Sequence, residues 1–373
     1  MVKVEPISIV FAGGGTGGHL FPGIAVAREL MRRHPHVKIT FVGSGRTLET
    51  RVLSREGFGL EKIRTIGLVG QSLFGFFWGL AILPISFLDA VQLLRRLSPN
   101  LVIGLGGYSS GPIVLLAALS GLPTLLLEQN AVPGMTNRIL ARVVNAVAVS
   151  YRATLPYFGT KGFISGNPVR ASFFDAPILR GSPSTLHVLV IGGSQGAHTL
   201  NVCMVEAIPI LLASKRPIRI THQAGESDLE FIRESYRRGG IAARVESFLD
   251  DIDREMAEAD LVVCRAGAMT LAELAASGRP AILVPFPHAA HDHQRRNASV
   301  LVEAGAAELI DPGDLNGTTL GRRVVSLGAD DEHRKLLAAA CRKFAMPKAA
   351  SVIVNRVEQL AGLNDKKGIA FVG

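Results

Sequence analysis

The chain has 373 residues and is 48% apolar, enough for a sizeable core, which excludes a disordered tail protein and a fibre. Its 40 glycines follow no three-residue period, which excludes collagen. Forty basic against 31 acidic side chains leave a net charge of +9, and the excess sits in residues 1–170, where 17 Lys/Arg face 7 Asp/Glu.

A basic half-protein points to an anionic partner (nucleic acid, a phosphorylated substrate or an anionic membrane) or to a merely solvated surface. Cys203, Cys264 and Cys341 form no CxxC pair and are odd in number, so neither a disulfide framework nor a cysteine zinc site is expected. The opening MVKVEPISIVFAGGGTGG lacks a signal-peptide pattern, and a reducing, cytosolic setting is expected.

In chain order, ISIVFAG (7–13) reads as a buried parallel strand ending in glycines, followed by a helix that starts near Pro22. VKITFVG (37–43), LVIGLG (101–106), PTLLLEQ (123–129) and AVAVS (146–150) read as further strands, with a helix over IVLLAALSG. The pattern restarts at LHVLVIGGSQG (186–196): strand, glycine turn, then a helix from about 198 to 214. IRITHQAG, AARVESFL, ADLVVCRAG, PAILVPFP and AAELID are later strand-like runs, and a last helix covers roughly 349–362. Two βα series of about 180 residues predict an α/β chain of two Rossmann-like, doubly wound domains facing across a cleft. The expected limits are 1–165 for the first domain, 166–184 for a Pro/Gly/Ser-rich linker and 185–348 for the second domain. Residues 349–373 form a helix, able to pack back on the first domain, and a tail.

The 24 residues between Arg64 and Asp89 carry no charge and hold the only tryptophan. Three readings stand: a membrane span, interrupted by glycines and Pro84; a buried loop and helix; or an apolar patch that dips into an anionic bilayer surface. The basic bias of this half favours the patch.

Three glycine loops follow strands: 13–19, 104–112 and 192–201. Backbone N–H groups at a helix start can hold an anion, and glycine lets a phosphate approach. The first loop is neither a GxGxxG dinucleotide fingerprint nor a P-loop. Together the three suggest two phosphorylated ligands, one per domain. His19 can serve as a general base for a hydroxyl, or can cap the loop or bond to phosphate. Glu128 can accept from a sugar hydroxyl or from His19, or can cap the helix after it. Thr270 and Glu273 have capping-box spacing, and a glutamate there can equally take both hydroxyls of a ribose. Gln294 and Asn297, three apart on a helix, can bond to a sugar; Arg170 suits a phosphate or a plain surface. His288, His291 and His293 are not expected to bind metal, because no carboxylate–histidine set surrounds them.

GGTGGH (14–19), GGYSSGP (106–112), EQN (128–130), GNPVR (166–170), GGSQGA (192–197) and the run from Gly267 to Ala298 together resemble the MurG family. These bacterial enzymes transfer N-acetylglucosamine to a muramoyl-pentapeptide on undecaprenyl pyrophosphate. The resemblance runs from residue 7 to about 362. It implies the two-domain GT-B fold and inverting transfer from UDP-N-acetylglucosamine to the C4 hydroxyl of the muramoyl residue, with one base and no glycosyl-enzyme. His19 is implied as the base, with Glu128 second. Donor contacts are implied at Thr16, Gly17, Gly18, Arg170, Ser194, Gln195, Gly196, Leu249, Ala268, Met269, Thr270, Glu273 and Gln294. Acceptor contacts are implied at Gly14, Gly15, His19, Gly106, Gly107, Tyr108, Ser109, Glu128, Asn130 and Asn137. A membrane patch is implied at Leu73, Phe74, Phe76, Phe77, Trp78, Leu80, Ile82 and Leu83, without the basic residues usual there. No obligatory metal or cofactor is implied; a divalent cation is at most stimulatory. The expected partners are the two substrates, the anionic inner leaflet, and cell-wall synthesis and division proteins; nucleic acid is not expected. The expected location is peripheral, on the cytoplasmic face of the bacterial inner membrane.

The enzyme alternative is a UDP-N-acetylglucosamine 2-epimerase on the same scaffold, which needs no lipid patch and no second ligand. The non-enzyme alternative is a basic membrane or nucleic-acid scaffold. Aromatic residues make up only 6% of the chain and no RNA-binding motif is present, which argues against it.

Overall fold

The computed structural model describes residues 7–65, 73–177, 184–193, 196–287, 289 and 292–363, with backbone alone over 73–81. The chain forms two compact units: residues 1–168 with 348–373, and residues 169–347.

Among the described residues, unit one holds strands β1 (Ser8–Gly13), β2 (Lys38–Gly43), β3 (Gly59–Lys62), β4 (Leu101–Gly106), β5 (Thr124–Glu128), β6 (Ala146–Val149) and β7 (Gly162–Ile164). They pair in parallel in the order β3-β2-β1-β4-β5-β6-β7. Helices α1 (Gly17–Arg33), α2 (Thr47–Arg55), α3 (Leu73–Leu97), α4 (Ser110–Leu119) and α5 (Met135–Leu140) link them. β1 is buried along its whole length because helices cover both faces. Alternate residues feed separate cores: Ile9 and Phe11 join one, Val10 and Ala12 the other.

Unit two repeats the scheme with β8 (Leu186–Ile191), β9 (Ile218–Gln223), β10 (Ala242–Glu246), β11 (Leu261–Cys264), β12 (Ala281–Leu283) and β13 (Glu308–Leu309). Their order is β10-β9-β8-β11-β12-β13, again parallel. Its helices are α6 (His198–Glu206), α7 (Ile208–Leu212), α8 (Leu229–Gly239), α9 (Ile252–Glu258), α10 (Ala268–Ser277), α11 (His293–Glu303), α12 (Gly317–Ala329) and α13 (Asp331–Arg342). Residues Ala171–Phe173 form a short 3-10 turn whose Phe173 is fully buried in the core of unit two.

The last helix, α14 (Ala349–Leu360), belongs to unit one. Its Ile353, Val354 and Val357 are buried in the same core as Leu20 and Ile24 of α1. At its polar margin, Arg33 reaches Asn355 at 2.6 Å and Glu358 at 3.2 Å, and His34 Nε2 lies 2.8 Å from Glu358.

Three local expectations are corrected. α1 begins at Gly17 rather than near Pro22, since the Leu20 N–H already bonds to the Thr16 carbonyl at 3.1 Å. Pro22 sits inside the helix with no N–H of its own to give. The helix expected over 198–214 is two helices, broken at Ala207, with Pro209 opening the second. Thr270 and Glu273 do not form a capping box. Gly267 is the N-cap of α10, so Thr270 already lies inside the helix.

α3 runs to Leu97, and its later turns are anchored: Ala90 and Leu93 enter the core, and Arg64 pairs with Asp89 at 2.5 Å. No helix of the described residues is long and apolar enough to cross a membrane. Ile82 and Leu83 are half-buried; the side chains of Leu73, Phe74, Phe76, Phe77, Trp78 and Leu80 lie outside the described residues.

Candidate functional site

In each sheet the winding reverses beside the first strand, between β1 and β4 and again between β8 and β11. Open α/β sheets bind ligands at that reversal, outside the carboxyl ends of the strands. The loops that leave those four strands carry most of the residues singled out from the sequence.

In unit one, the loop after β1 is held by a residue not foreseen from the sequence. Glu49 of α2 is 1% exposed, and its carboxylate accepts from Gly15 N–H at 2.5 Å, Arg46 N–H at 3.0 Å and the Ser44 hydroxyl at 3.1 Å. Gly14 has φ +149°, and a Cβ there would lie 2.6 Å from the Glu49 Oε1. A side chain at Gly14 would therefore expel the carboxylate.

His19, on the first turn of α1, places Nδ1 3.2 Å from the Thr16 hydroxyl. Its ring packs against Gly106, where φ is +95° and a Cβ would meet the ring carbon Cδ2 at 3.0 Å. The same Cβ would lie 3.8 Å from Asn137 Nδ2, so His19 and Asn137 flank Gly106. Asn137 is buried and donates to the Leu127 carbonyl at 3.0 Å and to Glu128 at 2.9 Å, while its buried Oδ1 has no partner among the described residues. Glu128 also accepts from Asn130 N–H and Gly134 N–H, each at 3.0 Å. Gly134 is the N-cap of α5, so the Glu128 carboxylate caps the helix after it. Burial raises the Glu128 pKa above the ordinary carboxylate value, against the pull of those hydrogen bonds. Tyr108 is exposed and Ser109 buried beside this group, and Gly107 lies against the Gly14 carbonyl.

In unit two, Glu273 of α10 is 8% exposed, and among the described residues nothing hydrogen-bonds to its carboxyl. Burial lifts its pKa to about 8; the Arg170 charge pulls it down and the Asp253 charge pushes it up. Arg170 lies 3.5 Å from Asp253 and stacks 5.2 Å over Phe173. The first turn of α10 has no side-chain cap, and Ala268 and Met269 on it are buried. α10 opens just after β11, on the side of the sheet where the winding reverses between β8 and β11.

The remaining donor-side candidates take up internal bonds. Leu249 N–H donates to Gln223 Oε1 at 3.0 Å, and Gly196 N–H closes a turn onto the Gly193 carbonyl at 3.0 Å. Gln294 Oε1 accepts from Phe286 N–H at 2.9 Å, and buried Asn297 donates to the Ala266 carbonyl at 3.4 Å. Ser194, Gln195, His288 and His291 lie outside the described residues. Among the described residues no three His, Cys, Asp or Glu side chains converge as metal ligands would.

Two more residues went unforeseen. Gln223 ends β9 and is buried. Arg265 follows β11, donates to the Val284 and Pro285 carbonyls at 3.2 and 3.1 Å, and stacks 5.7 Å over Phe286. The available signal was weak: each is a polar residue at the carboxyl end of an apolar strand.

Comparison with known proteins places this geometry. Residues 9–149 match the glycosyltransferase family 28 N-terminal domain and residues 187–353 its C-terminal domain. A relative from Anaeromyxobacter dehalogenans (strain 2CP-C) is 44% identical over 352 residues, covering 93% of this chain and 91% of its own. It is named UDP-N-acetylglucosamine--N-acetylmuramyl-(pentapeptide) pyrophosphoryl-undecaprenol N-acetylglucosamine transferase. The crystal structure of Acinetobacter baumannii MurG superposes with a TM-score of 0.73 at 30% identity, covering 95% of this chain and all of that one. A UDP-GlcNAc 2-epimerase from Neisseria meningitidis, bound to UDP-GlcNAc, reaches a TM-score of 0.64 at 12% identity, with 95% and 100% covered; this likeness is one of fold alone. The chain therefore has the GT-B fold and belongs to glycosyltransferase family 28, and within it to the MurG family.

Proposed function

We propose that the protein is an inverting transferase that moves N-acetylglucosamine from UDP-N-acetylglucosamine to the C4 hydroxyl of an undecaprenyl-pyrophosphoryl muramoyl-pentapeptide. The observation that carries the activity is the 44% identity, along nearly the whole chain, to a relative that bears that name. The epimerase alternative has only a shared fold in its favour.

Unit two takes the donor. The support is Glu273 of α10, a buried carboxyl to which nothing hydrogen-bonds among the described residues. The ribose hydroxyls would donate to Glu273, and the positive end of the α10 dipole would favour a diphosphate at the start of the helix. Arg170 adds a fixed positive charge near both, which stabilises the charge that grows on the diphosphate as UDP leaves. These donors are set in place before the reaction starts.

Unit one takes the acceptor and supplies the base. As the C4 oxygen attacks the anomeric carbon, its proton passes to His19. Nδ1 lies 3.2 Å from the Thr16 hydroxyl, and in the tautomer that donates Nδ1–H to it, Nε2 carries the lone pair that receives the proton. The C4 oxygen forms the new glycosidic bond as the bond to UDP breaks, so the anomeric centre inverts and no enzyme-bound sugar forms. Glu128, with its hydrogen-bonding capacity taken up by the loop, shapes the acceptor side rather than removing a proton. The uncharged start of α3 and the basic bias of unit one suit a peripheral protein at the cytoplasmic face of the bacterial inner membrane, where the lipid-linked acceptor resides.

The direct test is UDP release from UDP-N-acetylglucosamine with and without the lipid-linked acceptor. Release that requires the acceptor is expected. Epimerisation of the donor in its absence would overturn the reading.

A further inference from the structure

Gln223 ends β9, with Ile191 of β8 on one side and Glu246 of β10 on the other. It is 4% exposed, and both ends of its amide are used. Nε2 donates to the Gly193 carbonyl at 2.7 Å, and Oε1 accepts from Leu249 N–H at 3.0 Å. Gly193 lies in the turn after β8, next to the reversal of the sheet; Leu249 lies in the turn after β10. One side chain thus joins the turn after β8 to the turn after β10.

The amide cannot turn over. A backbone carbonyl only accepts and a backbone N–H only donates, so a flipped amide would set like against like at both ends. The backbone behind it is fixed as well. Ala224 N–H donates to the Glu246 carbonyl at 2.9 Å, and Asn201 of α6 donates to the Ala224 carbonyl at 2.8 Å. Asn201 in turn meets Asp228 at 2.8 Å and buried His222 at 3.0 Å. The amide is a rigid brace mounted on a rigid strand end.

We infer that Gln223 is a positioning residue that ties the turn after β8, where the family resemblance implies contact with the donor's diphosphate, to the turn after β10, where it implies contact with the base, so that a nucleotide's base and its diphosphate are recognised as one unit. This rests on the reading of unit two as the donor site. Without the brace each turn could still meet its part of the donor, but seating one would no longer preset the other. The brace therefore acts on how much affinity the diphosphate adds to a bound nucleoside. A merely structural glutamine would alter uridine and UDP binding equally, or not at all.

The experiment measures dissociation constants for uridine, UMP and UDP, with KM and kcat for UDP-N-acetylglucosamine and the melting temperature, in the full-length protein. Gln223→Met keeps the length of the side chain and removes both hydrogen bonds. The gain in affinity from uridine to UDP should shrink by about tenfold or more. KM should rise by a similar factor, with kcat within about threefold. Gln223→Glu can still accept from Leu249 but can no longer donate to Gly193. It should bind uridine nearly as the parent does and UDP more weakly, and it carries the test if the Met variant does not fold. An unchanged gain from uridine to UDP in either folded variant would overturn the inference. Glu273→Ala in the same assay separates the two ideas. If it weakens donor binding while the Gln223 variants do not, the brace alone falls. If it changes nothing, the donor-site reading falls.

Discussion

Gly15 gives its backbone N–H to the Glu49 carboxylate at 2.5 Å, across 34 residues of chain. The loop that leads into His19 is therefore shaped from α2 as well as by its own glycines. An N–H group that a phosphate could have used is already engaged by a carboxylate. Under the proposed function, the part of the loop is then to present His19. Glu49→Ala is expected to lower kcat by about tenfold to a hundredfold with little change in donor KM, and to lower stability by about 1–3 kcal/mol through unsatisfied N–H groups. Glu49→Gln should recover part of both. Steady-state kinetics beside urea unfolding check this, and an unaltered kcat in the alanine variant would remove the role.

His19→Ala should reduce kcat by about a hundredfold or more while donor affinity stays near that of the parent. Turnover close to the parent's would exclude His19 as the base. Glu128 would then be the next group to test, by exchange for Gln.

Glu273 has its pKa raised by burial to about 8, against an ordinary carboxylate value of 4.5. The native state therefore holds a proton that the unfolded chain releases, and stability falls as pH rises from about 4.5 to about 8. Glu273→Gln should remove that loss and raise the melting temperature at pH 8.5 by roughly 5 °C. If the ribose needs the ionised carboxylate, UDP binding releases a proton near pH 7. Calorimetry in buffers of different ionisation enthalpy should detect that release in the parent and not in Glu273→Gln. Equal proton release in both would rule out Glu273 as the group that ionises.

His222 is buried between Tyr236 at 2.9 Å and Asn201 at 3.0 Å, and burial lowers its pKa to about 3. Its folded pKa lies below its ordinary value of 6.5, so its contribution is present above about pH 6.5 and is lost as pH falls toward 3. His187 is shifted the same way, also by burial. The urea midpoint should drop between pH 7 and pH 4.5, and His222→Gln should flatten part of that drop. A midpoint with the same pH slope in both proteins would show that His222 does not carry it.

Replacing Phe77 and Trp78 together with Ser should release the protein from vesicles rich in anionic lipid and leave its melting temperature nearly unchanged. Flotation with vesicles tests this. Persistent binding would move the docking surface elsewhere.

The fold was legible wherever a buried strand ran into glycine, as in SIVFAG and LHVLVI, because a strand covered on both faces must be apolar throughout. Local boundaries were less legible. Pro22 looked like a helix start, yet the turn from Thr16 to Leu20 had already begun the helix. Thr270 and Glu273 have the spacing of a cap, but Gly267 occupies that position. The order of the strands and the braces at Glu49 and Gln223 were beyond reach. Each depends on partners about 30 residues away, and no periodicity records such a pairing. The candidate residues could be named by type, but the burial that raises the Glu273 pKa is a property of the packed helix.

The C-terminal helix has a consequence for how the protein is made. Ile353, Val354 and Val357 complete a core whose other members lie mostly before residue 149. A ribosome must therefore translate past residue 357 before the first unit can close. The second unit is contiguous from 169 to 347 and can finish earlier, although its synthesis starts later. A chain cut off just after residue 347 would therefore carry a complete second unit and a first unit whose core is left open along α1.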